Sequence, residues 1–182
     1  MSPTKQDLNQ ASQAWWDSIK TDPEKVNHWL KRQYQGEVSA ASKIRELILC
    51  YPADANWQKV VEMIVNQEVD HAKWIADLLR ARGIEPVAEG DNERYWREPL
   101  NAITDWNSGC AVAAHAEEMR LARIQAICGD STAPADILEV FQKILVQERF
   151  HAKAFRSFTT NEAYAATLAS HEAGMNALGL LP

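Results

Sequence analysis

Four long apolar stripes, each repeating at helical spacing and each interrupted by a glutamate, most constrain how this chain can fold. Val26, Leu30, Gln33, Glu37, Ala40, Ala41, Ile44 and Ile48 share one face of a first helix, and Val61, Ile64, Val65, Glu68, His71, Ala72, Ile75, Leu78 and Leu79 one face of a second. Trp106, Cys110, Ala113, Glu117, Leu121, Ile124 and Cys128 mark a third, and Ile137, Phe141, Ile144, Glu148, His151 and Phe155 a fourth. Residues three and four apart lie on the same side of an α-helix, so each stripe is a surface that another must cover. A charge left unpaired on such a surface costs several kcal/mol, which makes the interruptions informative.

Local punctuation places the ends. Thr21-Asp22-Pro23-Glu24 reads as a helix start, and Tyr51-Pro52 as a stop. Asn56 is expected to cap the second helix, which ends at Gly83. The third is expected to begin near Pro99 and end at Gly129, and Pro134 opens the fourth. These signals predict core helices over about 22–50, 56–82, 99–128 and 134–158. A fifth, shorter helix is expected over about 161–178, capped by Thr160-Asn161, and the first twenty residues are expected to form another. Short links join the helices into two antiparallel hairpins. The longer connection from Ile84 to Glu98, with Pro86, Gly90 and Tyr95-Trp96, leaves room for a crossover. The expected fold class is all-α: a four-helix bundle of two hairpins with a short C-terminal helix, in one domain spanning 1–182.

The formal net charge is −6, which argues against nucleic acid or an anionic membrane as partner. No apolar run reaches the roughly 18 residues of a membrane span. The polar start Met1-Ser2-Pro3-Thr4 lacks a signal-peptide core, so a cytoplasmic location is expected. Cys50, Cys110 and Cys128 are odd in number, widely separated and set in apolar stretches; they read as buried free thiols. His28, His115 and His171 have no partner at ligand spacing and read as surface or packing residues. Tyr34 and Trp74, one turn from Glu37 and His71, read as packing residues of the core.

Glu68-x-x-His71 and Glu148-x-x-His151 each project a carboxylate and an imidazole from one helix face. Thirty-one residues separate Glu37 from Glu68, and thirty-one separate Glu117 from Glu148. The flanking sequences echo each other: Gln67-Glu68-Val69-Asp70-His71-Ala72-Lys73 against Gln147-Glu148-Arg149-Phe150-His151-Ala152-Lys153. The repeat and the stripe select Glu117 over its neighbour Glu118. Each hairpin thus supplies Glu and Glu-x-x-His, and the candidate metal ligands are Glu37, Glu68, His71, Glu117, Glu148 and His151. Four carboxylates in one core repel one another, and two divalent cations would neutralise them. Oxygen and imidazole donors without thiolate suit iron or manganese, as two irons, two manganese ions or a mixed pair.

This pattern resembles the ferritin-like superfamily of di-iron carboxylate proteins, particularly rubrerythrins and bacterioferritins. The resemblance rests on Gly36-Glu37, on Glu68-Val69-Asp70-His71-Ala72 and on Leu78-Leu79-Arg80-Ala81-Arg82-Gly83-Ile84-Glu85-Pro86, and it covers about residues 24–158. It implies a carboxylate-bridged di-iron centre that reacts with O2 or peroxide, in an oxidase, a peroxidase or an oxygenase of a small organic substrate. An iron-oxidising storage protein is the alternative, and a homodimer is compatible with such a bundle. The chain departs from the family at several points. It has no rubredoxin C-x-x-C pairs, so an external electron donor is expected. Ala114 and Arg120 flank Glu117 where rubrerythrins carry an extra glutamate. Val69 stands where bacterioferritins place a haem-binding methionine, so no haem is expected. Ile75 and Phe155 stand where a radical tyrosine would be.

Overall fold

The structure, a computed structural model, describes residues 5–88 and 94–180. Its α-helices are α1 (Lys5–Ile19), α2 (Pro23–Cys50), α3 (Ala55–Ala81), α4 (Arg97–Asn101), α5 (Trp106–Cys128), α6 (Ala135–Ser157), α7 (Asn161–Ala166) and α8 (Leu168–Ala177). A single 3-10 turn, Arg94–Trp96, precedes α4, and no strand occurs among the described residues. Helices α2 and α3 pack along their length as one hairpin and α5 and α6 as another, with α3 against α6 and α2 against α5 closing a four-helix bundle. The long connection carries the chain from the first hairpin to the second; its Gly90 lies outside the described residues. Among the described residues no helix is long and apolar enough to cross a membrane.

The helix ends follow capping chemistry. Asp22 accepts hydrogen bonds from the Glu24 and Lys25 amides, with Pro23 at the first turn of α2. Asp54 caps α3 rather than the expected Asn56, whose amide it receives at 2.9 Å. Gly83 follows α3 with φ +70, a left-handed conformation that suits glycine, and the Ile84 amide returns to the Leu79 carbonyl.

Two expected elements differ. The third core helix starts at Trp106, not near Pro99, because Asp105 and Ser108 form a reciprocal capping box and leave 97–101 as the separate α4. The fifth helix is broken at Thr167 into α7 and α8. The Tyr164 carbonyl, needed to continue that helix, instead accepts from His115 Nε2 at 3.0 Å and from Thr167 Oγ1 at 3.2 Å.

Two apolar clusters fill the bundle and flank its middle. One includes Trp16, Leu30, Ile75, Ile124, Phe141 and Ile144; the other includes Ile44, Val61, Ile64, Cys110 and Phe155. Tyr34 and Trp74 pack against the first. The N-terminal helix is pinned by Trp16 Nε1, which donates to Asp130 Oδ2 at 2.9 Å, and by Lys20 on the same oxygen. His115 and His171 are buried and stack at 4.8 Å between ring centres, whereas His28 is exposed. Of the cysteines expected to be buried, Cys110 is, Cys128 is half-buried and Cys50 is exposed, because it lies off the face on which Leu47, Ile48 and Tyr51 pack.

Helix α8 docks closely on the turn before α4. A Cβ at Gly174 would lie 2.7 Å from the Tyr95 carbonyl oxygen and 2.8 Å from its ring. Gly174→Ala is therefore expected to cost about 2 kcal/mol and to lower the melting temperature by roughly 4–8 °C. A circular-dichroism melt identical to the parent's would refute this close docking.

Candidate metal centre

The six candidate ligands meet between the two apolar clusters. Glu37 comes from α2, Glu68 and His71 from α3, Glu117 from α5, and Glu148 and His151 from α6. Their exposures lie between 0% and 3%. Glu37, Glu68, His71 and Glu148 bring one ligand atom each to within 4.8 Å of one another, and so do Glu68, Glu117, Glu148 and His151. Glu68 and Glu148 belong to both sets. Glu118 is exposed and instead accepts from the Tyr164 hydroxyl at 2.6 Å.

The imidazoles are oriented across the bundle. His71 Nε2 lies 2.7 Å from Gln147 Oε1, and His151 Nε2 lies 2.8 Å from Gln67 Oε1. An amide oxygen only accepts, so Nε2 carries the proton in each ring and Nδ1 faces the carboxylates. His71 Nδ1 is 3.5 Å from Glu148 and 3.6 Å from Glu37; His151 Nδ1 is 2.9 Å from Glu68. Neither Nδ1 has a hydrogen-bond partner, and neither do Glu68 Oε1, Glu117 Oε2 or either oxygen of Glu148. Nitrogen and oxygen lone pairs this close in a dry core require something positive between them, either a proton or a metal ion. The donor set fits a metal, and the cluster could hold one.

Burial works against every charge here, and the neighbours decide which charges persist. Burial is the largest influence on Glu37 and Glu148, yet the Arg120 guanidinium and His71 outweigh it; Glu37 falls well below the usual carboxylate range and Glu148 to about 2. Burial raises Glu68 and Glu117 well above that range, and neighbouring carboxylates add to it. His71 rises to about 10 despite burial, because Glu148 and Glu37 face it, while burial lowers His151 to about 4. Without metal at neutral pH, two anions (Glu37 and Glu148) thus face two cations (Arg120 and His71). Glu68 and Glu117 are pushed toward the protonated form, and His151 toward the neutral one.

Three residues of the site were given no role in the sequence reading. Gln67 and Gln147 stand in the repeated local sequence, and that repetition was their signal. Arg120 lies one turn after Glu117, a spacing that puts it on the same helix face but does not show how far it reaches across the bundle. It pairs with Glu37, with Glu148 at 3.3 Å and with Glu68 at 3.5 Å. Gln33 Nε2 also donates to Glu37 Oε1 at 2.6 Å.

Removing an amide tests its role. Gln147→Leu leaves His71 Nε2 without its acceptor and is expected to weaken metal binding about 10- to 100-fold with the fold retained. Chelator competition measures this, and an unchanged affinity would show that the crossed pairing has no bearing on the metal.

A cavity of about 660 Å3 lies on the other side of the α5–α6 pair and is lined by His115, Glu118, Arg156 and Tyr164 among others. None of the six candidate ligands lines it. A smaller one of about 40 Å3 adjoins the cluster at Gln33 and Arg120. No family model, curated protein or solved structure matches this chain.

Proposed function

We propose that the protein is a ferritin-like non-haem di-iron oxidoreductase that reacts with O2 or peroxide. One observation carries this reading: two sets of four ligand atoms share Glu68 and Glu148, and each set contains an imidazole Nδ1 with no partner. Glu37 and His71 would hold one ion, Glu117 and His151 the other, and the shared carboxylates would bridge them. Four carboxylates match the charge of two divalent ions, and carboxylate with imidazole favours iron or manganese over softer metals. When bound, a pair of irons supplies two electrons to a small oxidant.

The chain's own residues set the conditions. Gln67 and Gln147 fix both rings with Nδ1 inward. Ile75, Ile144 and Phe155, one turn from ligands on α3 and α6, are fully buried and keep bulk water away. The cavity beside the cluster has about 40 Å3, room for a water-sized molecule. Electrons would come from an external donor.

The test begins with metal-free protein loaded anaerobically with Fe(II). About two irons per chain are expected, in a small particle by size exclusion. On exposure to O2 or peroxide, a rapid near-ultraviolet absorbance change and consumption of the oxidant are expected. Loading with zinc alone, or no oxidant consumption by the iron form, would sink the proposal. A large cage holding hundreds of irons would replace it with iron storage.

A further inference from the structure

The geometry points to two unequal metal positions, one of which Arg120 holds closed until the other is filled. This rests on the two-metal reading above and adds an order of loading to it. Arg120 Nη2 contacts Glu37 Oε2 and lies 3.3 Å from Glu148 Oε1, while Nη1 lies 3.5 Å from Glu68 Oε2. The same three oxygens surround His71 Nδ1, at 3.6, 3.5 and 3.9 Å respectively. The guanidinium is therefore seated on the oxygens that a metal at His71 would take.

The other position is different. His151 Nδ1 lies 2.9 Å from Glu68 Oε1 and 3.9 Å from Glu148 Oε2. These three atoms and Glu117 Oε2 are all buried without a hydrogen-bond partner. Arg120 makes no direct ion pair with Glu117. The bridging carboxylates thus present one oxygen to a resident cation and the other to an open set of donors.

A guanidinium has no lone pair to offer a metal and stays protonated, so it cannot share this position as a ligand. A divalent ion there would face a like charge a few ångströms away, and Arg120 must swing out. Its side chain is 16% exposed rather than sealed in the core, and this is the side on which it would leave. The first ion enters at Glu117 and His151, where no protein cation has to move. The second enters at Glu37 and His71 and must break three buried charge contacts. When metal is scarce, the protein rests as a one-metal form in which Arg120 stands in for the second ion. That form lacks the pair of ions on which two-electron chemistry depends.

Calorimetric titration of metal-free protein with Mn(II), with free Mn(II) followed by electron paramagnetic resonance, tests the order. The parent should bind one ion at least about tenfold tighter than the second, the scale of a buried charge contact. Arg120→Gln should tighten the second step and shrink the gap to less than about threefold. His71→Ala should keep the tight ion and His151→Ala should lose it; this pair decides the matter even if the arginine variant fails to fold. Equal affinities in the parent, an unchanged gap in Arg120→Gln, or loss of the tight ion in His71→Ala alone would overturn the inference and leave the two-metal reading intact. No binding by the parent would remove both.

Discussion

Glu148→Ala is expected to abolish metal retention at both positions, leaving under about a tenth of the parent's metal after reconstitution and desalting, because bridging ligands serve both ions. Glu148 lies in both four-atom sets, with one oxygen toward His71 and the other toward His151. The same substitution should destabilise the metal-free protein by about 3–5 kcal/mol, since it leaves Arg120 and His71 short of an ionised partner. Glu117→Gln separates the two effects. It removes a metal ligand, but replaces a carboxyl that burial already pushes toward the protonated form, so the metal-free fold should melt within about 2 °C of the parent. Glu118→Ala, on the exposed side, should keep its metal. Metal analysis and thermal melts on the three proteins give the answer, and full metal retention by Glu148→Ala would remove the bridging role.

Metal binding is expected to strengthen steeply with pH. Burial favours the proton on Glu68 and Glu117, and Glu148 and Glu37 hold one on His71, so loading both positions near neutral pH should release more than about one proton. Calorimetry in buffers of different ionisation enthalpy counts them; release of fewer than about one would contradict this protonation pattern. The metal-free fold should respond in the opposite direction. Groups whose folded values are raised lend stability below their unfolded values and lose it as pH climbs toward the raised ones. For Glu68 and Glu117 that loss begins above the ordinary 4.5, and for His71 above 6.5. Glu37 and Glu148, held low, lend stability that disappears only as pH falls below 4.5. Burial holds His151, His115 and His171 low, which offsets this loss below their ordinary 6.5, so the drop is read above it: chelator-treated protein should melt at a lower temperature at about pH 8.5 than at about pH 7. A rise over that interval would count against the assignment.

The helices were legible because apolar spacing and capping residues are local. The stripes through Ile64, Glu68, His71 and Ile75, or Ile144, Glu148 and His151, identify their faces without any knowledge of the partner helix. The six residues that meet in the core could be selected for the same reason, with the 31-residue repeat choosing between Glu117 and Glu118. What the sequence did not convey depends on contacts across the bundle. Pro99 looked like a helix start until Asp105 and Ser108 closed their own cap. Thr167 broke a helix because His115, distant in sequence, took the Tyr164 carbonyl. Arg120 drew attention only as a missing glutamate; that its guanidinium reaches α2, α3 and α6 follows from helix separation, which spacing along the chain does not encode.

The crossed amide pairs couple the halves mechanically. Gln67 of the first hairpin steadies His151 of the second, and Gln147 of the second steadies His71 of the first. A small tilt between hairpins therefore drags both rings together. Neither ring can turn alone, and the separation of His71 from His151 is governed by how the hairpins are pressed against each other. Core substitutions at that seam, far from any ligand, should consequently detune both ends of the site by similar amounts.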